Sequence, residues 1–374
     1  MYYQTIRKMD TKNKLAKRII RALISEQKQK QLSVRLKNKS RTRLINEYCN
    51  RKEASFKALF QTCLKHVSPI TTPQVWISQF AHSGGSLLNR LFDGHPAIFA
   101  FPDELLNGAP AEIPWAEIDP NDDPQRWIEI FIDFLNPRHI PPRFKPATNH
   151  KGALPFVFLP LLQKQIFLKY LNTIKPLKPR DVFDGYVTAC FGAWLNYQNH
   201  SRLKNFVTVS APGVATLKEK TAGFFSIYPD GRLICLIANP QTWYRSALQA
   251  QPEKYADVNW SVMRWQENLR SVLWIKDRFA DRTCLISAEE LVNKPEPVMR
   301  HLAGFLGLPY DSILLIPTFN GDPISIDTSF KMATVDSIKR QSKENPTLSM
   351  DQSKIIAAMT QDDYQKFLNE TVRF

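Results

Sequence analysis

Residues 76–96 read WISQFAHSGGSLLNRLFDGHP, and this stretch decides how the rest of the chain is read. An apolar, β-branched and aromatic run (QVWISQF, 74–80) gives way to Ala81, His82, Ser83, Gly84, Gly85 and Ser86, then to the helical pattern SLLNRLFDGH. A Gly/Ser turn between a strand and a helix presents backbone N–H groups and hydroxyls at the helix amino end, where the dipole favours negative charge. The glycines let main chain approach an anion with no Cβ in the way. The loop is not of the Walker type, because GxxxxGK[ST] is absent and no lysine follows the glycines. A phosphoryl-transferring kinase of that class is therefore disfavoured. Taken alone, the turn leaves two readings open, an anion cradle and an ordinary helix cap.

Outward from this stretch the pattern is α/β. FVTVS (206–210), RLICLIA (232–238) and RTCLIS (282–287) read as further buried strands, and EPVMRHLAGFL (296–306) as a helix after the last of them. Apolar strands alternating with helices predict a central parallel sheet flanked by helices on both faces. Residues 103–200 are richer in proline and aromatics and read as an elaborated helical region where an acceptor would bind, with helices over 159–171 and 182–198. Pro69, Thr71, Thr72 and Pro73 punctuate the chain ahead of the first strand. The expected division is a basic helical extension over 1–70, the α/β domain over 71–335, and a helical tail over 336–374.

The chain has 374 residues, 43% of them hydrophobic, enough to bury one large core. Its net charge of +15 is unevenly placed. Residues 1–70 hold 18 Lys and Arg against four acids, a net +14, leaving +1 for the other 304 residues. The basic character belongs to the extension, so no nucleic-acid partner is expected for the body. In NKLAKRIIRALI, apolar residues recur at helical spacing with Lys14, Lys17, Arg18 and Arg21 between them. That face suits a solvated docking helix or an anionic membrane surface, contacted through residues 1–66. Five cysteines at irregular spacing read as reduced thiols of a cytoplasmic protein and argue against zinc. No stretch is long and apolar enough to span a bilayer.

A second stretch, YPDGRLICLIANPQTWYRSALQ (228–249), places Asn239-Pro240 after a strand and Ser246 inside the following helix. The ordered pair of stretches resembles sulfotransferases that use 3′-phosphoadenosine 5′-phosphosulfate (PAPS), whose motifs run roughly P-[RK]-S-G-T-[TS]-LL and then R-[DN]-P-x-x-x-x-x-S. DGHPAIFAFPDELL, ISAEELVNKPEPVMRHLAGFLGLPY and PTFNGDPISIDTSF resemble bacterial-type members, so the likeness covers about 73–335. It implies a P-loop-like fold, PAPS as co-substrate, no metal, and transfer of a sulfuryl group to a hydroxyl of a carbohydrate, lipid or small metabolite.

Carried over residue by residue, the resemblance assigns the sulfate end of the donor to His82, Ser83, Gly84, Gly85 and Ser86, and the 3′-phosphate region to Asn239 and Ser246. Ser83, Gly84, Ser86, Asn239, Pro240 and Ser246 match the motifs. His82 stands where the family has Lys or Arg, Gly85 replaces a hydroxyl residue, Ala81 a proline, and Ala238 the arginine. Ser210 stands where some members carry lysine, and Asp327 where they carry asparagine. A charge-assisted hydrogen bond to phosphate contributes about 1.5–3 kcal/mol, so each lost cation weakens binding. His82 is expected to donate to the sulfuryl group and to gain charge beside an anion. Arg245 is a candidate replacement for the arginine. Sulfuryl transfer also needs a base for the acceptor proton, and Glu104 is preferred over Asp103. His95, Asp184 and Trp194 read as structural. The departures leave room for a rival, a binding or scaffold protein without catalysis on the same fold.

Overall fold

The computed structural model describes residues 53–104, 119–134, 145–146, 156–199, 204–325 and 347–374. The basic segment 14–24, Trp115, Phe144 and the 326–330 stretch with Asp327 lie outside the described residues. The chain divides into two units at His66/Val67. Of the first, helix α1 (Glu53–His66) is described.

The second unit is built on the loop-bearing strand β1 (Gln74–Gln79), buried along its whole length. Helix α2 (Gly85–Phe92) follows, then strand β2 (Ile98–Glu104). A short helix α3 (Pro124–Trp127) continues as a π-helical stretch to Phe134. Strand β3 (Lys145–Pro146) precedes the packed pair α4 (Pro160–Thr173) and α5 (Pro179–Ala193). Strand β4 (Phe206–Ser210), helix α6 (Lys218–Ile227), strand β5 (Arg232–Ile237) and helix α7 (Pro240–Ala250) come next. Helix α8 (Val258–Arg278), strand β6 (Thr283–Ser287) and helices α9 (Ala288–Asn293) and α10 (Pro295–Leu306) complete the alternation. A small hairpin, β7 (Thr318–Phe319) and β8 (Asp322–Ser325), pairs with β3. Helix α11 (Met350–Glu370) closes the chain and packs on α8 and α7.

Strands β2, β4, β1, β5 and β6 lie in that order and are all parallel. This is the parallel α/β sheet that the apolar runs predict. Valine, leucine, isoleucine and tryptophan fill it because a parallel sheet covered on both faces leaves no polar side. Trp76 of β1 and, from the helices, Trp243, Trp265, Phe167 and Phe224 are among the fully buried side chains. Parallel strands all end on one edge, so β1, β4, β5 and β6 deliver their following loops together.

Two expectations need correcting. The helix read over 182–198 ends at Ala193, because Trp194 leaves helical geometry and bridges to Phe158. Residues 98–104, read only as a flank of the first motif, form the edge strand β2, which pairs with β4 alone. Pro102 is tolerated there because an edge strand has one unpaired side, and the register slips between Ala100 and Glu104. Glu104 therefore ends a strand rather than starting a helix.

Candidate functional site

The turn after β1 is tightly specified. Ser83 N–H donates to Phe80 O at 3.1 Å, and Leu87 N–H to Gly84 O at 3.0 Å. His82 and Gly84 both adopt positive φ, 71° and 87°. Gly84 is the N-cap of α2 and supplies no side-chain cap, so the first amides of the helix, those of Gly85 and Ser86, lack an intrahelical acceptor. Gly85 packs closely on a neighbouring side chain. A Cβ there would lie 2.1 Å from the carboxamide of Gln79, itself buried.

The sequence-predicted residues fall into two clusters on the same sheet edge. In the first, Ser86 Oγ donates to Glu104 Oε1 at 3.0 Å, which puts the β2 carboxylate at the loop. Ser83 is buried, and its Oγ has no hydrogen-bond partner among the described residues; the same is true of Ser210 Oγ, at the end of β4. A buried hydroxyl left without an acceptor costs about 1–3 kcal/mol, which an anion or a water could relieve. The side chain of Asp103 lies outside the described ones.

The second cluster is at the start of α7. β1 and β5 are neighbours, with Gln79 opposite Leu236, so the two motifs leave the sheet side by side. Trp243 Nε1 donates to Ala81 O at 2.9 Å, and its ring packs on Phe80 at 4.8 Å. Asn239 caps its own helix, its side chain accepting from Gln241 N at 3.0 Å. Ser246 is buried about two turns further along the same helix. Arg245 is half-buried, with its Nε unpartnered among the described residues.

Sequence reasoning missed two charged residues. Lys254, on the connection from α7 to α8, lies close enough to His82 to act on its imidazole, and it sits 5.1 Å over the Tyr255 ring. Tyr255 in turn meets His82 edge-on at 5.9 Å. Partial burial first, and the Lys254 ammonium second, hold His82 below the ordinary histidine value. Without an anion beside it, His82 is therefore neutral at pH 7. The other missed residue is Glu289, whose Oε1 accepts the Asn239 N–H at 2.9 Å. No local spacing links Lys254 to the loop or Glu289 to Asn239, fifty positions apart; only the packed sheet edge does.

PAPS fits one end of this arrangement and not the other. The amides of Gly85 and Ser86, the buried Ser83 hydroxyl and nearby Lys254 suit a phosphosulfate group. At the position that the resemblance gives to a 3′-phosphate, Ala238 is fully buried, Ser210 carries no charge, and a carboxylate already holds the Asn239 amide. Among the described residues, no group of three or more His, Cys, Asp and Glu is placed to hold a metal ion.

No family model and no curated protein matches the chain. Solved structures similar to it are sulfotransferases. One from Alicyclobacillus acidocaldarius is 16% identical, with 81% of this chain and 98% of that chain covered and a TM-score of 0.44. The sulfotransferase domain of the Synechococcus PCC 7002 olefin synthase is 16% identical, covering 78% and 95%, at 0.43. The sulfotransferase domain from the curacin biosynthetic pathway is 15% identical, covering 78% and 99%, at 0.41.

Proposed function

We propose that the protein is a sulfotransferase, passing a sulfuryl group from an activated sulfate donor to a hydroxyl of a carbohydrate, lipid or small metabolite. The observation that supports this best is the Ser86–Glu104 contact, which sets a carboxylate beside an anion-suited helix start. In this reading the 82–86 loop holds the sulfate end and Glu104 faces the acceptor. The acceptor oxygen attacks sulfur, the sulfur–oxygen bond to the leaving group breaks with its electron pair, and the acceptor proton passes to the Glu104 carboxylate. The Gly85 and Ser86 amides and Lys254 stabilise charge on the sulfuryl and leaving oxygens, which is most of what such a transfer asks of a protein. His82, neutral when free, serves as a hydrogen-bond partner rather than a fixed cation.

PAPS is the donor that the sequence resemblance implies. Its phosphosulfate end suits the loop; its 3′-phosphate does not suit the start of α7. The test is Glu104→Gln, assayed with labelled donor against a panel of hydroxyl acceptors. Turnover should fall by at least about 100-fold, the lower range for a general base, while inorganic sulfate binding stays within twofold. A second reading, binding without catalysis, is favoured by the uncharged Ala238 and Ser210; it gains if no acceptor in the panel is sulfated by the wild type.

A further inference from the structure

The start of α7 is where the resemblance puts a second anionic group of the ligand, and Trp243 ties that helix to Ala81 of the loop directly. A helix amino end ordinarily offers its first amides to such a group. Here the amides of the first three positions are committed or missing. Asn239 N–H donates to Glu289 Oε1 at 2.9 Å, Pro240 has no N–H, and Gln241 N–H donates to the Asn239 side chain at 3.0 Å. The other oxygen of Glu289 is fixed as well, accepting from Ser287 Oγ at 3.0 Å. Tyr364 of α11 closes the far side through a side-chain hydrogen bond with Asn239. Next along the chain, Glu290 adds a second carboxylate; its Oε1 accepts from Phe374 N–H at 3.3 Å, and its Oε2 is buried without a hydrogen-bond partner among the described residues. Ala238, fully buried, offers no compensating cation.

We infer that Glu289 acts as an internal stand-in for an anion at the start of α7, and thereby restricts the site to donors and nucleotides carrying a single phosphate or phosphosulfate end. A 3′-phosphate could take the Asn239 amide only by pulling Glu289 off two hydrogen bonds, and anywhere beside that amide it would sit against the Glu289 charge. Like charges a few ångströms apart disfavour each other most where water is excluded. Glu289 is thus a specificity-determining residue. The inference rests on the reading of the 82–86 loop as the seat of the first anion.

The test is calorimetric titration of the full chain, wild type and Glu289→Gln, with adenosine 5′-phosphate and with adenosine 3′,5′-bisphosphate. The wild type should bind the monophosphate at least as tightly as the bisphosphate. Glutamine keeps the shape and loses the charge, so the variant should gain about tenfold for the bisphosphate and change less than twofold for the monophosphate. A wild type preferring the bisphosphate tenfold or more, or a variant with an unchanged ratio, overturns the inference. A wild type that binds neither nucleotide, beside a variant that binds the bisphosphate, counts against the loop reading and upholds the role of Glu289. Should both proteins bind neither, both ideas fail. Glu289→Ser replaces Glu289→Gln if thermal melting shows that the latter is unfolded.

Discussion

A Cβ on Gly85 would meet the carboxamide end of the buried Gln79 side chain. Gly85→Ala should destabilise the fold by about 1–3 kcal/mol, the usual range for overpacking, and Gln79→Ala should restore most of the loss. Urea denaturation of the two single variants and the double variant measures that coupling; simple additivity would contradict it. Lys254 makes the same point from the electrostatic side. Its charge lowers the His82 pKa, so Lys254→Gln should raise it, as read by NMR titration of the imidazole, and should weaken inorganic sulfate binding in a salt-sensitive way. An unmoved His82 together with an unchanged sulfate affinity would remove Lys254 from the site. None of this was legible beforehand. The serines and glycines of the loop can be read locally, whereas Lys254, Gln79 and Glu289 gain their meaning from packing between distant segments.

At the scale of elements, the edge of the sheet opposite the loop is held by one polar network. Tyr228 Oη donates to Asp184 Oδ1 at 2.8 Å and accepts from Gln74 Nε2 at 2.9 Å, joining α5 and β1 to the turn before β5. Arg180 donates to Asp184 at 3.3 Å and forms two bonds with Asp230, at 2.9 and 3.1 Å. Burial is the leading cause that raises Asp184, to about 6 from 3.8, outweighing Tyr228 and Arg180, which pull it down. Its folded pKa exceeds its unfolded one, so the native state holds the extra proton and stability falls as pH rises from about 4 to 6. A shift of that size corresponds to roughly 3 kcal/mol. Asp184→Asn, which cannot ionise, should flatten that part of the stability–pH curve; an unchanged slope between pH 4 and 6 would contradict the assignment. The sequence reading made Asp184 structural; of its partners, Arg180 stands one helical turn earlier on the same helix, whereas Tyr228, 44 positions on, meets it only through packing. Strands β1, β4, β5 and β6 were legible as bounded apolar runs. Strand β2 was not, since Pro102 interrupts it, and the end of α5 was overrun because the apolar pattern continues past Trp194 into a bridge rather than a helix.

For the whole molecule, the sheet turns two motifs some 150 residues apart into one edge, and the residues delivered there suit an anion at the first motif better than at the second. No helix among the described residues is long and apolar enough to cross a membrane. The +14 of residues 1–70 motivates a separate test: binding to vesicles containing anionic lipid should weaken with salt and disappear when residues 1–66 are deleted. Vesicle binding that survives the deletion would assign it to the body.

The claim that everything else depends on is that the turn from His82 to Ser86 seats a sulfate-like group. Titrating the isotope-labelled protein with inorganic sulfate and following backbone amides tests it most directly. The Gly84, Gly85 and Ser86 signals should shift together along one saturating curve while the His82 imidazole pKa rises. Shifts scattered over the surface, with those three amides and His82 unmoved, would contradict it.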